Sequence, residues 1–118
     1  MPQVDSPAID LAIEKWVTGP TTNISHEIGK PILIHIFQVN CPGCFTHGIP
    51  EIIEVHNQFK DSPLLVWGLA TAFEDFHHNN LENLNKLIQT GEVVGETLEV
   101  LNTQGLLNNN RLDYRLPF

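Results

Sequence analysis

Two stretches of the chain are almost uninterruptedly apolar, and between them the hydrophobic period changes. Residues 32–39 read Ile-Leu-Ile-His-Ile-Phe-Gln-Val, with apolar side chains at 32, 33, 34, 36, 37 and 39. Such a run, rich in β-branched residues, predicts a central strand buried on both faces, and with it a parallel or mixed sheet covered by helices. Beyond residue 44 the spacing becomes helical. Phe45, Ile49, Ile52, His56 and Phe59 follow at intervals of 4, 3, 4 and 3, with Ile53 beside them. Gly48 and Pro50 fall inside this face. Proline removes a helical hydrogen bond and crowds the preceding turn, so a kink is expected near Ile49. Asp61-Ser62-Pro63 ends the helix, and residues 64–71 (Leu-Leu-Val-Trp-Gly-Leu-Ala-Thr) supply a second buried strand. Strand, helix and strand in this order form a right-handed βαβ unit of an α/β fold.

The flanks are less regular. Residues 1–10 hold two prolines and little pattern, and read as an arm. Residues 11–17 suit a short strand or one helical turn, Thr18-Gly19-Pro20 is a turn, and residues 21–24 resume a strand, which would make an N-terminal hairpin. A short helix starts at Ser25 and is stopped by Gly29-Lys30-Pro31. After the second strand, residues 72–80 form a polar loop with Phe73, Phe76, two acids and two histidines. Leu81, Leu84, Leu87 and Ile88 mark a helix with Asn80 as N-cap and Gly91 as stop. Val94, Leu98 and Leu101 mark another, ending by Gly105, and the remainder is polar and turn-rich around Asn108-Asn109-Asn110. The division expected is an arm at 1–15 and one domain at 16–118.

Charge narrows the partners. The net charge is -8, with only six basic residues, and these are scattered. A nucleic-acid surface needs clustered Lys and Arg, so nucleic acid is not expected as a partner. No apolar stretch approaches the roughly 20 residues of a membrane span, and Met1-Pro2-Gln3-Val4-Asp5 does not open a secretory signal. Two cysteines only three residues apart make no disulfide framework for a secreted domain. The expected setting is therefore a reducing cytoplasm.

Those two cysteines, Cys41 and Cys44, lie in the turn between the first strand and the helix, as Cys41-Pro42-Gly43-Cys44. Thiol–disulfide exchange needs a thiolate to attack and a second thiol to resolve the mixed disulfide, and this spacing at a helix start supplies both. The free backbone N–H groups and positive dipole end of the helix stabilise a thiolate at Cys41, lowering its pKa below the free value of about 8.5. Cys44 lies one turn in, within bonding reach but shielded. Pro42 biases Cys41 away from helical geometry and Gly43 lets the turn tighten. Cys41 is the expected nucleophile and Cys44 the resolving thiol. The dipeptide alone does not set direction, because proteins of this kind span roughly -270 to -120 mV.

At these residues the sequence resembles the thioredoxin-like superfamily, in particular TlpA-like and peroxiredoxin-related redoxins. The matched features are Trp16 with Thr18-Gly19, the stretch to Gly29-Lys30-Pro31, the strand from Ile32 to Phe37, Cys41-Pro42-Gly43-Cys44, Pro50, and the strand leading into Phe73-Glu74. They cover residues 16 to about 90. The resemblance implies a central mixed sheet flanked by helices, a redox pair at Cys41 and Cys44, no cofactor, and protein or small-molecule disulfides and dithiols as substrates. The chain departs from the family in three places. Pro50 falls one position later than in many relatives, and Gln38-Val39-Asn40 stands where a tryptophan often precedes the motif. The family's late strand, entered through a cis-proline, has no counterpart, since Pro117 is followed only by Phe118. The fold is thus expected to be incomplete at its C-terminus, leaving a sheet edge open to self-association.

Two other readings stand beside the redox one. Cys41 and Cys44 with one or two of His47, His77 and His78 would make a metal-binding redoxin relative, although only one ligand pair is local where zinc usually takes four ligands. An inactive fragment would pair through its open sheet edge. His35 and His56 are expected to be core histidines, hydrogen-bonded and packed respectively, and Trp16 and Trp67 to be packing residues.

Overall fold

The computed structural model describes residues 8–112, 114 and 116. Its centre is a parallel pair of strands, β1 (Ile32–Phe37) and β2 (Leu65–Ala70), in register from Ile32 opposite Leu65 to Phe37 opposite Ala70. The crossover is a helix that starts at Pro42, passes through a π-helical segment at Cys44–Gly48 and continues as α1 (Ile49–Gln58). Two further helices follow, α2 (Leu81–Thr90) and α3 (Gly95–Thr103). A short antiparallel hairpin, β3 (Leu107–Asn108) and β4 (Arg111–Leu112), closes the described chain.

The βαβ unit matches the expectation, but its burial does not. Among the described residues the sheet has two strands, and Ile36 is 60% exposed. The apolar run at 32–39 is therefore not that of a strand covered on both faces. The core instead gathers beyond the end of β1, where Phe37, Phe45, Ile49, Leu87, Val93 and Leu101 pack together. Cys44, Ile53, Leu84, Leu98, Leu107, Leu112 and Tyr114 border this cluster, so the crossover helix, α2, α3 and the hairpin all converge on it.

The N-terminal hairpin does not form. Leu11 is paired not by a strand but by one side chain: Asn23 Oδ1 accepts from its N–H at 2.9 Å, and Asn23 Nδ2 donates to its carbonyl at 2.8 Å. The same Oδ1 accepts from Ile24 N–H and caps a single 3₁₀ turn at Ile24–His26. Asp10 makes a second clamp, accepting from Ser25 N–H at 2.7 Å and Ser25 Oγ at 2.8 Å, and these bonds hold its carboxyl below the usual range. The segment so tied lays Trp16 edge-on against Trp67 of β2, with centroids 5.3 Å apart, beside an apolar groove of about 310 Å³. The groove is bounded by the sheet and by Leu84 and Ile88 of α2, away from the cysteines.

The strands near the C-terminus went unread in the sequence because each is two residues long. Asn109 and Asn110 both adopt positive φ, 54° and 64°, as the tight turn between antiparallel strands requires. The hairpin is stitched to the end of α2, where Leu112 N–H donates to the Gly91 carbonyl at 2.9 Å. Gly91 is the left-handed cap of α2, at φ 78°. Pro117 lies outside the described residues, as do residues 1–7 of the arm.

Pro50 produces the irregularity expected near Ile49, but as a widened turn. Ile49 N–H bonds to the Cys44 carbonyl, five residues back. In that register the next donor, to the Phe45 carbonyl, would be Pro50, which has no N–H. Tyr114 Oη donates to that carbonyl instead, at 3.4 Å. The C-terminal segment thereby satisfies a group that the proline orphans. Tyr114→Phe should lower stability by about 1 kcal/mol in urea unfolding. In a Pro50→Ala background, which restores a helical donor, the same change should cost about half as much or less.

Candidate functional site

The site is the turn from Asn40 to Cys44. Cys41 precedes the first helical residue, Pro42, a position where proline's missing N–H costs nothing and its fixed φ suits the helix. Cys44 N–H donates to the Cys41 carbonyl at 3.1 Å, closing the turn. The Cα atoms of Cys41 and Cys44 are 5.3 Å apart and their sulfurs are bonded as a disulfide. Both cysteines are half-buried, so exposure does not separate them. Their surroundings do, because Cys44 packs on the hydrophobic core.

The turn is held from below by a polar network that begins at the end of β1. Asn40 N–H donates to Asn79 Oδ1 at 2.6 Å. Asn40 Nδ2 donates to Asp75 Oδ2 at 2.7 Å. Asn40 Oδ1 accepts from Thr97 N–H at 3.0 Å and from Thr97 Oγ1 at 3.1 Å. Asn79 Nδ2 donates to Gln38 Oε1 at 3.1 Å and to the Glu74 carbonyl at 3.0 Å, and Gln38 Oε1 also accepts from Phe73 N–H. Gln38, Asn79 and Thr97 are the buried polar residues of the described chain, and all three belong to this network. None was given a structural role from the sequence, where Gln38 stood only as part of the stretch lacking the tryptophan. The available signal was Gln38 and Asn40 at the end of an apolar run, since polar groups placed there must find partners.

Asn40 also caps a helix from a distance. α3 begins after Val94, which offers no side-chain cap, and Asn40 Oδ1 takes the N–H of Thr97 that a local cap would take. Gly95 makes room for this: a Cβ there would lie 2.7 Å from Asn40 Nδ2, and its φ of 59° favours glycine. On the other side, Asp75 Oδ2 lies 2.9 Å from His78 Nδ1. The bonds from Asn40 and then His78 hold the Asp75 carboxyl below its usual range.

The histidines fall out differently. His47 is exposed, with Nδ1 2.7 Å from Thr46 Oγ1. His77 and His78 meet edge-on at 5.1 Å in the loop. Among the described residues no three His, Cys, Asp or Glu side chains come together, so the metal reading has no ligand set to build on. His35, expected in the core, is half-buried beside it. Its ring stacks on Phe37 at 5.8 Å and lies against Gly48 of the π segment, where a Cβ would come within 2.8 Å of Cε1.

No family model and no curated protein matches the chain. Two solved structures do. A thiol-disulfide isomerase from Corynebacterium glutamicum matches with a TM-score of 0.63 and 30% identity, over 71% of this chain and 55% of its own. A thioredoxin-like superfamily protein matches with a TM-score of 0.63 and 32% identity, over 69% of this chain and 53% of its own. The fold is thioredoxin-like. This thioredoxin-like chain spans little more than half the length of either solved structure. No described helix is long and apolar enough to cross a membrane.

Burial holds the His35 imidazole below the ordinary histidine range. Below the unfolded value of about 6.5 the unfolded chain takes up a proton that folded His35 resists. Its contribution is therefore full above that pH and is lost as pH falls to the lowered folded value. Urea midpoints at pH 7.5 and pH 5.5 should differ more in the wild type than in His35→Gln. An NMR titration should place the His35 midpoint below 6.5.

Proposed function

We propose that the chain is a thiol–disulfide oxidoreductase module in which Cys41 is the nucleophile and Cys44 the resolving thiol. The observation that carries this reading is the Cys41–Cys44 disulfide at the start of the helix that follows β1. The thioredoxin-like fold and a neighbour described as a thiol-disulfide isomerase support it. Gly29-Lys30-Pro31 ahead of β1 and Pro50 in the helix favour a TlpA-like redoxin within that fold.

In the reduced form the Cys41 thiolate attacks one sulfur of a substrate disulfide. The Cys41–substrate bond forms, the substrate's S–S bond breaks, and the leaving sulfur departs as a thiolate that takes up a proton. Cys44, deprotonated, then attacks the Cys41 sulfur of this mixed disulfide and releases the second substrate thiol. The protein ends with the disulfide seen here, and two electrons and two protons have passed to the substrate. Run backwards, the same steps oxidise a dithiol. Protein disulfides are the substrate class the isomerase neighbour suggests, and in a reducing cytoplasm the pair would work as a reductant. Packing of Cys44 on the core suits a thiol that meets only its neighbour, whereas Cys41 stands at the helix start, where backbone N–H groups favour its thiolate.

The test is a redox titration of the pair against a glutathione series, with thiol labelling as readout. A reversible two-electron transition between roughly -270 and -120 mV is expected. Cys41→Ser should reduce disulfide exchange to background, and Cys44→Ser should accumulate mixed disulfides with substrate. Full activity in Cys41→Ser, or no transition in the wild type, would overturn the assignment.

A further inference from the structure

We infer that Asn40 is the positioning residue of the redox turn, setting the reactivity of Cys41 through hydrogen bonds to Asp75, Asn79 and Thr97. This rests on the redox reading of the motif. Asn40 is the residue immediately before Cys41, so its backbone fixes where the attacking sulfur's chain begins. Its N–H, its amide nitrogen and its amide oxygen are each engaged, at 2.6 Å, 2.7 Å and 3.0 Å, by Asn79, Asp75 and Thr97 in turn. Those partners lie on the loop after β2 and on α3, two elements separate from both β1 and the redox helix.

The partners are themselves anchored. Thr97 is fully buried, at 0% exposure, and Asn79 is 4% exposed and tied back to Gln38 and Glu74. The Asp75 oxygen that accepts from Asn40 also lies 2.9 Å from His78 Nδ1. Asn40 is thus pinned against two buried groups, Thr97 and Asn79. A turn pinned on the side of the attacking cysteine limits how far Cys41 can move when the Cys41–Cys44 bond opens. The relative stability of dithiol and disulfide, and the access of Cys41 to an incoming sulfur, then depend on this carboxamide.

The polarity of the network gives a sharp test. Asn40→Asp keeps the acceptor for Thr97 but loses the donor to Asp75 and sets two carboxylates against each other. Asp75→Asn removes the acceptor's charge. The double variant Asn40→Asp/Asp75→Asn restores the bond with donor and acceptor exchanged, and asparagine tolerates the positive φ of 48° at position 75. The glutathione equilibrium constant and the pH profile of Cys41 alkylation are measured for all four proteins. Asn40→Asp should shift the equilibrium constant about tenfold, or about 30 mV for this two-electron couple. It should also displace the alkylation midpoint, and the double variant should recover to within about threefold of wild type in the constant. Thr97→Val, which keeps the buried shape and removes the hydroxyl bond, should shift the constant in the same direction by less. It serves if Asn40→Asp does not fold.

If the wild type titrates normally and the single variants match it within twofold, the positioning role is wrong while the redox assignment stands. Loss in the single variants with no recovery in the double variant would equally sink it, since the damage would then not run through the Asn40–Asp75 bond. A wild type with no reversible transition would remove the redox assignment and this inference together.

Discussion

The side-chain amide of Asn40 is the point through which the separate parts of the molecule are joined at the two-cysteine turn. It reaches Asp75 in the loop after β2 and Thr97 in the first turn of α3, while its backbone N–H reaches Asn79. A neutral hydrogen bond is worth only about 1 kcal/mol net, but a buried polar group left without its partner costs more than that. Gln38, Asn79 and Thr97 are all buried, so the network is all-or-none in character: each member's burial is tolerable only while the others stay in place. Gly95 belongs to the same constraint, because any side chain there would occupy the space of the Asn40 carboxamide.

A second dependency runs through the helix that carries Cys44. Pro50 cannot donate, the turn before it widens to a π segment, and the Phe45 carbonyl is served by Tyr114 from beyond the hairpin. On the opposite side Gly48 lets the His35 ring of β1 approach closely. The wide turn is therefore wedged between the strand before it and the chain end after it. Cys44 is the first residue of that wide turn, and its carbonyl is the one that accepts from Ile49. Cys44 is set by long-range packing, Cys41 by a polar network.

What the sequence disclosed follows from how local each signal is. The βαβ unit, the cap at Asn80, the stop at Gly91 and the two-cysteine turn are all encoded within a few residues of where they act, and they appear where the pattern put them. Pro50 correctly marked an irregularity, although whether a proline kinks a helix or widens it depends on what can serve the orphaned carbonyl, here a tyrosine 69 residues away in sequence. The N-terminal hairpin failed because the apolar residues of 11–17 mark a segment that lies on apolar surface without saying what pairs its backbone, and Asn23 does that work with one side chain. Burial of β1 was overestimated for a related reason: an apolar run records what a strand is suited to contact, and Ile36 stands exposed among the described residues. The network around Asn40 spans up to 57 residues of sequence and had no local signature beyond two polar residues at a strand's end.

The spatial origin of the network bears on what half a relative's length can still do. Among the described residues, the hydrogen bonds that hold the two-cysteine turn and its helix come from Gln38 and Asn40 before the turn, Asp75 and Asn79 in the loop, Thr97 on α3 and Tyr114 after the hairpin. The matched structures are nearly twice as long as the stretch they share with this chain. Thiol–disulfide exchange asks for little more than a held dithiol, a thiolate favoured by a helix start and access for a substrate sulfur. Holding the dithiol and recognising the substrate are physically separable tasks. In this chain the first is carried by side chains that the tryptophan-bearing version of the motif would not provide, since a tryptophan at position 40 could donate one hydrogen bond but could not accept from Thr97.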